Sequence, residues 1–481
     1  EGCSRVPAAP PIKKGRSMIR SLLCGCALAK VQKRPGGHSS SYFAEWQRVS
    51  AAAILLLLPV AGIAQPGADQ RQHLAPGTAA PAAATPAGVR PALSLQEAVG
   101  LAADDQPSVT ASQREAAASE EAAVAARVLP DPQLTVGIKD FPVEGENAFS
   151  PTADNFTMYT VGLMREQVRR SRREAEAARL RAEAVVSRAE ATVEERRIRR
   201  EVMIAWINAV AAGSKQRLLA RLIGDLRAGL SIMEAGITTG TSSPALAFQM
   251  RAEIALAEVQ RLEASGEEAR ARAELGRWIG AASQRTLPDT VPSLQLRASA
   301  EHSSDVASHP HLVAAEAREQ ASQRLVDVAR TERRPNISWS LMYGFRPEYG
   351  DLVSAQVTIP LQINRSRVQN RRISEAMSRV DAARLRTQDA RRELDGTYAA
   401  ALADYRSADA QLSLIVDQAL PSLEASFEAS EARYAGGQDT LEFPFLIVRR
   451  YVEVTIQSVE QQARRARAAA ELIYLTQDLI G

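Results

Sequence analysis

Apolar and polar positions alternate most cleanly in the second half of the chain. Ile337, Trp339, Leu341, Tyr343 and Phe345 share one face of an extended segment, as do Val353, Ala355, Val357 and Ile359 shortly afterwards. A period of two is that of a strand with one apolar side. A weaker version stands earlier, with Leu134, Val136 and Ile138 in one run and Tyr159, Val161 and Leu163 in the next. The pattern therefore predicts two strand pairs, near 133–164 and 336–360. Elsewhere helix formers dominate. No proline interrupts residues 166–235, which gives a helix of roughly 70 residues, or ~105 Å. Its Leu218, Leu222, Leu226 and Leu230 supply part of an apolar stripe looser than a strict heptad, with alanine filling much of the remainder.

The helix ends carry their own signals. SLQE at Ser94 reads as a capping box, and Pro107 suits a first-turn position. Pro130 and Pro132 stop the helix that precedes the first strands. GITTGTSSP, from Gly236 to Pro244, predicts a turn, followed by a return helix over 244–280. The plan then repeats: QPSV at Gln106 matches HPHL at His309, and Pro132 matches Pro335 at the same offset. A second long helix is expected over 364–434, a turn at AGGQD, and a last helix over 438–480. Pro421 and Gly224 would each break their long helix a few turns before the hairpin. The first repeat thus spans 93–280, an insert spans 281–304, and the second repeat spans 305–481.

Helix lengths suggest an architecture. Each long helix can be matched by two shorter ones stacked end to end. The pairing expected is the first-repeat helix of about 23 residues with the last of about 42, and about 37 with about 24 around the insert, by the rise per residue. The result is a mainly α fold of duplicated long-helix hairpins, with strands at one end, turns at the other and the insert near its middle. Four strands cannot close a barrel, so neighbouring chains must complete it. Two chains would give a barrel filled by side chains; three would leave a channel.

Composition narrows the function. The 481 residues are 45% hydrophobic but only 5% aromatic, which favours long helices over several rounded cores. The formal charge of +3 comes from residues 1–65, which hold nine basic residues and only two acids, Glu1 and Glu45; from Pro66 onward 50 basic residues face 54 acidic ones. Nucleic-acid binding by bulk electrostatics loses its support. Cys3, Cys24 and Cys26 all precede the fold, so disulfides and thiolate chemistry are excluded from it. Residues 1–64 read as a leader whose apolar run, Ala51 to Ala64, is the core of a secretory signal. Residues 65–92 form a Pro/Ala-rich tether.

In order and content, LSLQEAVGLA at Leu93, LPDPQLTVGI at Leu129, VTIPLQINRSR at Val357 and RYAGGQDTLEF at Arg433 resemble the TolC family of outer-membrane efflux proteins, over Leu93 to Gly481. The resemblance implies a homotrimer whose four strands per chain build one 12-stranded β-barrel in the outer membrane, above a helical barrel crossing the periplasm. It implies a passive exit duct rather than an enzyme, with no cofactor. A periplasmic adaptor and an inner-membrane pump of the resistance-nodulation-division type would supply energy and substrate, and outer-membrane lipid would surround the barrel; nucleic acid is not a partner. LPDPQLTVGI, FPVEG at Phe141 and FTMYTVGLM at Phe156 resemble the subgroup serving cobalt, zinc and cadmium or copper and silver exporters. MREQVRRSRR departs from that subgroup, which carries a proline where the first long helix begins. Organic-drug efflux or type I secretion by the same fold, and a periplasmic coiled-coil scaffold, are the alternatives.

The resemblance places Asp439 and Glu442 at the periplasmic entrance, where threefold symmetry would gather six carboxylates into a cation-favouring ring. Gly236, Gly240, Gly436 and Gly437 would serve the hairpin turns through their access to positive φ. Ile337, Trp339, Leu341, Tyr343, Phe345, Val353, Val357 and Ile359 would face lipid. His309 and His311 flank Pro310, but two histidines without cysteine or a carboxylate cluster read as a helix start rather than a metal site. No phosphate loop, nucleophile elbow, zinc-enzyme motif or dinucleotide fingerprint occurs.

Overall fold

The computed structural model describes residues 91–104, 106–153, 155–238, 243–294, 308–436 and 442–476. The leader, the apolar run at 51–64, nearly all of the tether, residues 295–304 of the insert, Gly240, Gly437 and Asp439 lie outside the described residues. Pro91–Gly481 forms one compact unit.

The first repeat consists of α1 (Leu95–Ala103), α2 (Pro107–Ala125), β1 (Gln133–Lys139), β2 (Met158–Gln167), α3 (Arg170–Thr238) and α4 (Pro244–Ile279). The second consists of α5 (Pro310–Thr331), β3 (Ile337–Phe345), β4 (Leu352–Thr358), α6 (Gln369–Leu414), α7 (Leu420–Ala435) and α8 (Glu442–Thr476). The fold is mainly helical with a small antiparallel sheet, and α3 alone has 69 residues, or ~104 Å at 1.5 Å each. Glu166, placed at the start of the long helix by sequence, belongs instead to β2. There it extends the pairing with β3 opposite Ser338. No described helix is long and apolar enough to cross a membrane.

What holds α3 to its neighbours is a strict seven-residue register. Ala177, Ala184, Ala191, Ile198, Ala205, Ala212, Leu219, Leu226 and Met233 are all buried. Met250, Ala257, Ala264 and Ala271 repeat the spacing on α4, and Ala376, Ala383 and Ala390 on α6. The loose leucine stripe expected from sequence is corrected. Leu222 and Leu226 are buried while Leu218 and Leu230 are half-buried, and the true seam is written mostly in alanine. Small seam residues let helix axes approach closely, and a sustained seven-residue period imposes a left-handed supercoil.

The long helices differ at their expected breakers. α3 runs unbroken through Gly224, because a glycine inside a helix costs about 1 kcal/mol without removing a hydrogen bond. At Pro421 the chain departs from α geometry, and a π-turn over Ile415–Ala419 joins α6 to α7. Proline has no N–H to donate, and its ring crowds the carbonyl four residues back.

The short helices stack otherwise than the length arithmetic suggested. α2 abuts α4: the Gln106 side chain donates to the Trp278 carbonyl at 3.2 Å, and the Leu93 N–H donates to the Thr286 carbonyl at 2.8 Å. α5 abuts α8: Leu312 packs with Leu472 and Leu475, and the His309 and Tyr474 rings meet edge to face at 4.9 Å. The expected pairs, α2 with α8 and α4 with α5, are corrected. Both pairings have similar summed lengths, so length could not choose between them.

At the waist between the stacked helices lies a large core. Leu93, Leu95 and Ala98 from the α1 segment and Val291 and Leu294 from the insert pack against Trp206 and Ile207 of α3, Leu275 of α4 and Ala469 of α8. The Trp206 indole N–H donates to the Leu93 carbonyl at 3.1 Å, satisfying a polar group that would otherwise be buried alone. Ser94 accepts from the Glu97 N–H at 3.1 Å. The Glu97 carboxylate pairs with Arg285, which with the Ser94 backbone holds its pKa below the usual range. The cap thereby ties α1 to the insert.

Candidate functional site

The sheet has the order β1-β2-β3-β4, every neighbour antiparallel. Its register stacks side chains in rows across all four strands. One row is Leu134, Leu163, Leu341 and Ala355; the next is Val136, Val161, Tyr343 and Val353; a third is Ile138, Tyr159 and Phe345. The large apolar members of these rows are exposed. Of the eight residues expected to face lipid, Leu341, Tyr343, Phe345, Val353, Val357 and Ile359 are exposed, whereas Ile337 and Trp339 are half-buried. Trp339 stands opposite Arg165 on one side and Val357 on the other, at the edge of the apolar rows nearest the helices.

The other face is mostly polar or small, with Met158, Met164, Met342 and Leu352 as its larger apolar members. Thr135 pairs with Gly162, Met342 and Ser354 in one row, and Gly137 with Thr160, Gly344 and Leu352 in another. Thr160 donates its hydroxyl to the Gly137 carbonyl at 3.1 Å. A Cβ on Gly344 would sit 2.8 Å from the Met158 sulfur, so this face is closely fitted where the strands cross. At the loop end, Arg346 donates to the Asn155 carbonyl at 3.0 Å and holds the two hairpin loops together. β1 and β4 form the two edges of the sheet. An apolar face of this extent with two open edges is unstable in water and needs a partner surface.

The opposite end of the helices is built from α3, α4, α7 and α8. A cleft of about 440 Å³ is lined by Leu222, Leu226, Met250, Phe445 and Val452 among others. Arg449 and Glu253, both in its lining, pair at 2.6 Å, and Arg227 of α3 pairs with Glu258 of α4 at 2.8 Å. Gly229 of α3 meets Phe445 of α8 so closely that a Cβ there would fall 2.3 Å from the ring. Glu442 is the first residue of α8, while Asp439 lies outside the described residues. The two hairpin glycines among the described residues, Gly236 and Gly436, are not the positive-φ positions expected. Gly236 lies inside α3, and Gly436 has φ −78° and ψ 0°, open to most residues.

His309 caps α5: its Nδ1 accepts from the His311 N–H at 3.2 Å, with Pro310 in the first turn. It is fully buried, and desolvation, helped by the nearby charge of Arg196, lowers its pKa to about 4. The imidazole is thus neutral and structural, as the sequence reading of a helix start anticipates. Sequence reasoning missed the Trp206–Leu93 bond and the Gly229–Phe445 contact. The first had only a lone tryptophan within the apolar run from Val202 to Ala212 as its signal, and the second had none.

The model of the outer membrane efflux protein family matches residues 302–472, which is most of the second repeat. No curated protein matches the chain significantly. Among solved structures the chain is similar to CusC, described for the conformational changes accompanying its folding and transmembrane channel formation, at TM-score 0.67 and 16% identity, covering 79% of this chain and 91% of that one. A membrane protein from Pseudomonas aeruginosa gives TM-score 0.68 at 17% identity, over 79% and 90% of the two chains. The outer membrane protein VceC from Vibrio cholerae gives 0.65 at 16%, over 80% and 97%. The fold of this chain is therefore that of the outer-membrane channels, across nearly their full length.

Proposed function

We propose that this chain is the outer-membrane exit duct of an efflux system, a passive conduit of three identical chains. The observation that carries the reading is the four-stranded sheet, apolar on one face, mostly small or polar on the other, and open at both edges. β1 and β4 run antiparallel, so copies related by rotation can join β4 to β1 and continue the same pattern. Two copies would give eight strands, a barrel that side chains must fill. Apart from Met158, Met164, Met342 and Leu352, that face carries glycine, serine, threonine and other polar residues poorly suited to fill a dry core, which favours three copies, twelve strands and a wet lumen. The long helices would then carry the lumen across the periplasm, with their hairpin ends meeting a periplasmic adaptor and an inner-membrane pump of the resistance-nodulation-division type.

The subgroup motifs around Leu129, Phe141 and Phe156 support heavy-metal cations as the cargo. Asp439 and Glu442 would line the narrow entrance, where carboxylates from three chains favour cations. The test of the duct is the oligomeric mass, by light scattering with detergent subtracted, of mature protein extracted from purified outer membranes. A trimer is expected; soluble monomer or dimer, with none in that membrane, overturns the reading. Deletion of the gene in its host is expected to lower tolerance to cobalt, zinc, cadmium, copper or silver, and unchanged tolerance to all five would remove the metal assignment.

A further inference from the structure

Where the sheet meets the helices, arginine accumulates out of proportion to the rest of the chain. The segments 165–174 (REQVRRSRRE), 332–334 (ERR) and 365–372 (RSRVQNRR) hold eleven arginines and three glutamates. The fold brings these segments to one level. Arg169 donates to the Pro335 carbonyl at 2.9 Å, Arg333 to the Asn370 side chain at 2.9 Å, and Arg372 pairs with Glu332 at 2.9 Å. Most of the charge is left uncompensated. Of the eleven, Arg170 and Arg372 form ion pairs among the described residues. Arg165, Arg169, Arg173 and Arg333 spend N–H groups on neutral oxygens.

Helix stability does not explain the placement. α3 and α6 both begin here without an acid in the first turn, although the positive end of the helix dipole favours acids and disfavours arginine. The dipoles and the arginines therefore add to one positive potential. Immediately on the sheet side lies apolar surface: the alternation of β4 continues past its end to Leu361 and Ile363, 82% and 87% exposed. Trp339, opposite Arg165, stands at the same boundary.

We propose that this arginine collar binds the headgroups of anionic phospholipids in the leaflet that faces the helices. The inference rests on the membrane reading of the sheet. A phospholipid meets both halves of the surface, with acyl chains against Leu361, Ile363 and the β4 face and its phosphate among the arginines. A soluble anion would use only the charged half. Arginine at this boundary extends its aliphatic stem along apolar surface and its guanidinium toward phosphate.

The test reconstitutes the full chain into vesicles and follows Trp339 fluorescence, taken as the difference from the Trp339→Phe variant. Brominated phosphatidylglycerol is expected to quench at a mole fraction roughly fivefold lower than brominated phosphatidylcholine, the ratio equivalent to about one basic residue's attraction to an anionic surface. The preference should vanish in the Arg365→Gln/Arg367→Gln/Arg371→Gln variant and persist when the same three become lysine. Should the glutamine variant fail to assemble, the same loss is expected of the unaltered protein in about 0.5 M salt, where the screening length falls toward about 4 Å. Equal quenching by both lipids, or a preference indifferent to the substitutions and to salt, overturns the collar and leaves the membrane reading standing. Absence of quenching by either lipid overturns the membrane reading itself.

Discussion

Gly229 of α3 and Phe445 of α8 pack so closely that a Cβ on the glycine would lie 2.3 Å from the aromatic ring. This contact joins the first hairpin to the second near their turn ends, beside the ion pair between Arg449 and Glu253. Gly229→Ala is expected to destabilise the packed hairpins by about 1–3 kcal/mol, the usual cost of overpacking. Phe445→Leu in the same chain should recover part of that loss. Thermal denaturation of the two single variants and the double variant measures the coupling, and additive losses would show that the pair does not act as a contact.

The alanine seam of α3 makes a second prediction. Ala191 is buried within the seven-residue register, so Ala191→Leu forces the helices apart and should cost about 1–3 kcal/mol. Leucine is a good helix former, and isolated helix propensity predicts little change. A lowered melting temperature thus separates packing from propensity.

Burial of neutral His309 gives the waist a pH dependence. Its pKa is lowered to about 4, so the unfolded chain binds the proton more readily. The associated stability is present above the unfolded value near 6.5 and is lost as pH falls toward 4, by on the order of 3 kcal/mol. Arg196, His311 and Tyr474 face the ring, and protonation would add a charge beside Arg196. His309→Asn keeps a capping side chain without the titration. The expected result is a melting temperature that drops between pH 7.5 and 5 in the unaltered protein and much less in the variant.

The two faces of the sheet should respond oppositely to charge. Val161 lies on the apolar face and Ser354 on the polar one. Val161→Arg is expected to cost about 2–4 kcal/mol near the bilayer midplane and to reduce the protein recovered from outer membranes. Ser354→Arg should leave recovery unchanged and lower the cation conductance of single channels. Equal loss of recovery in both variants would contradict the assignment of faces.

At the hairpin end, replacing Asp439 or Glu442 with lysine is expected to lower cation conductance in planar bilayers and export in cells while the assembled mass stays the same. Unchanged conductance would remove the acidic entrance and leave the duct intact.

The kind and order of the elements are legible in the sequence alone. Alternation from Ile337 to Phe345, broken only by Met342, points to a strand with one apolar face, and some 70 residues without proline can form one continuous helix. The offset shared by Pro132 and Pro335 exposed the duplication for the same reason, since proline denies a backbone donor wherever it stands. Tertiary structure decided how those elements meet. The stacking of α2 on α4 and of α5 on α8 depends on end contacts such as Gln106 with Trp278 and His309 with Tyr474, which summed helix lengths do not encode. The helix seam was hidden because alanine is both a good helix former and the smallest seam residue. Its role is visible only when another helix is close enough to bury it. Gly229 likewise carries no signal of its own, because a close approach is a property of two chain segments and the sequence records them one at a time.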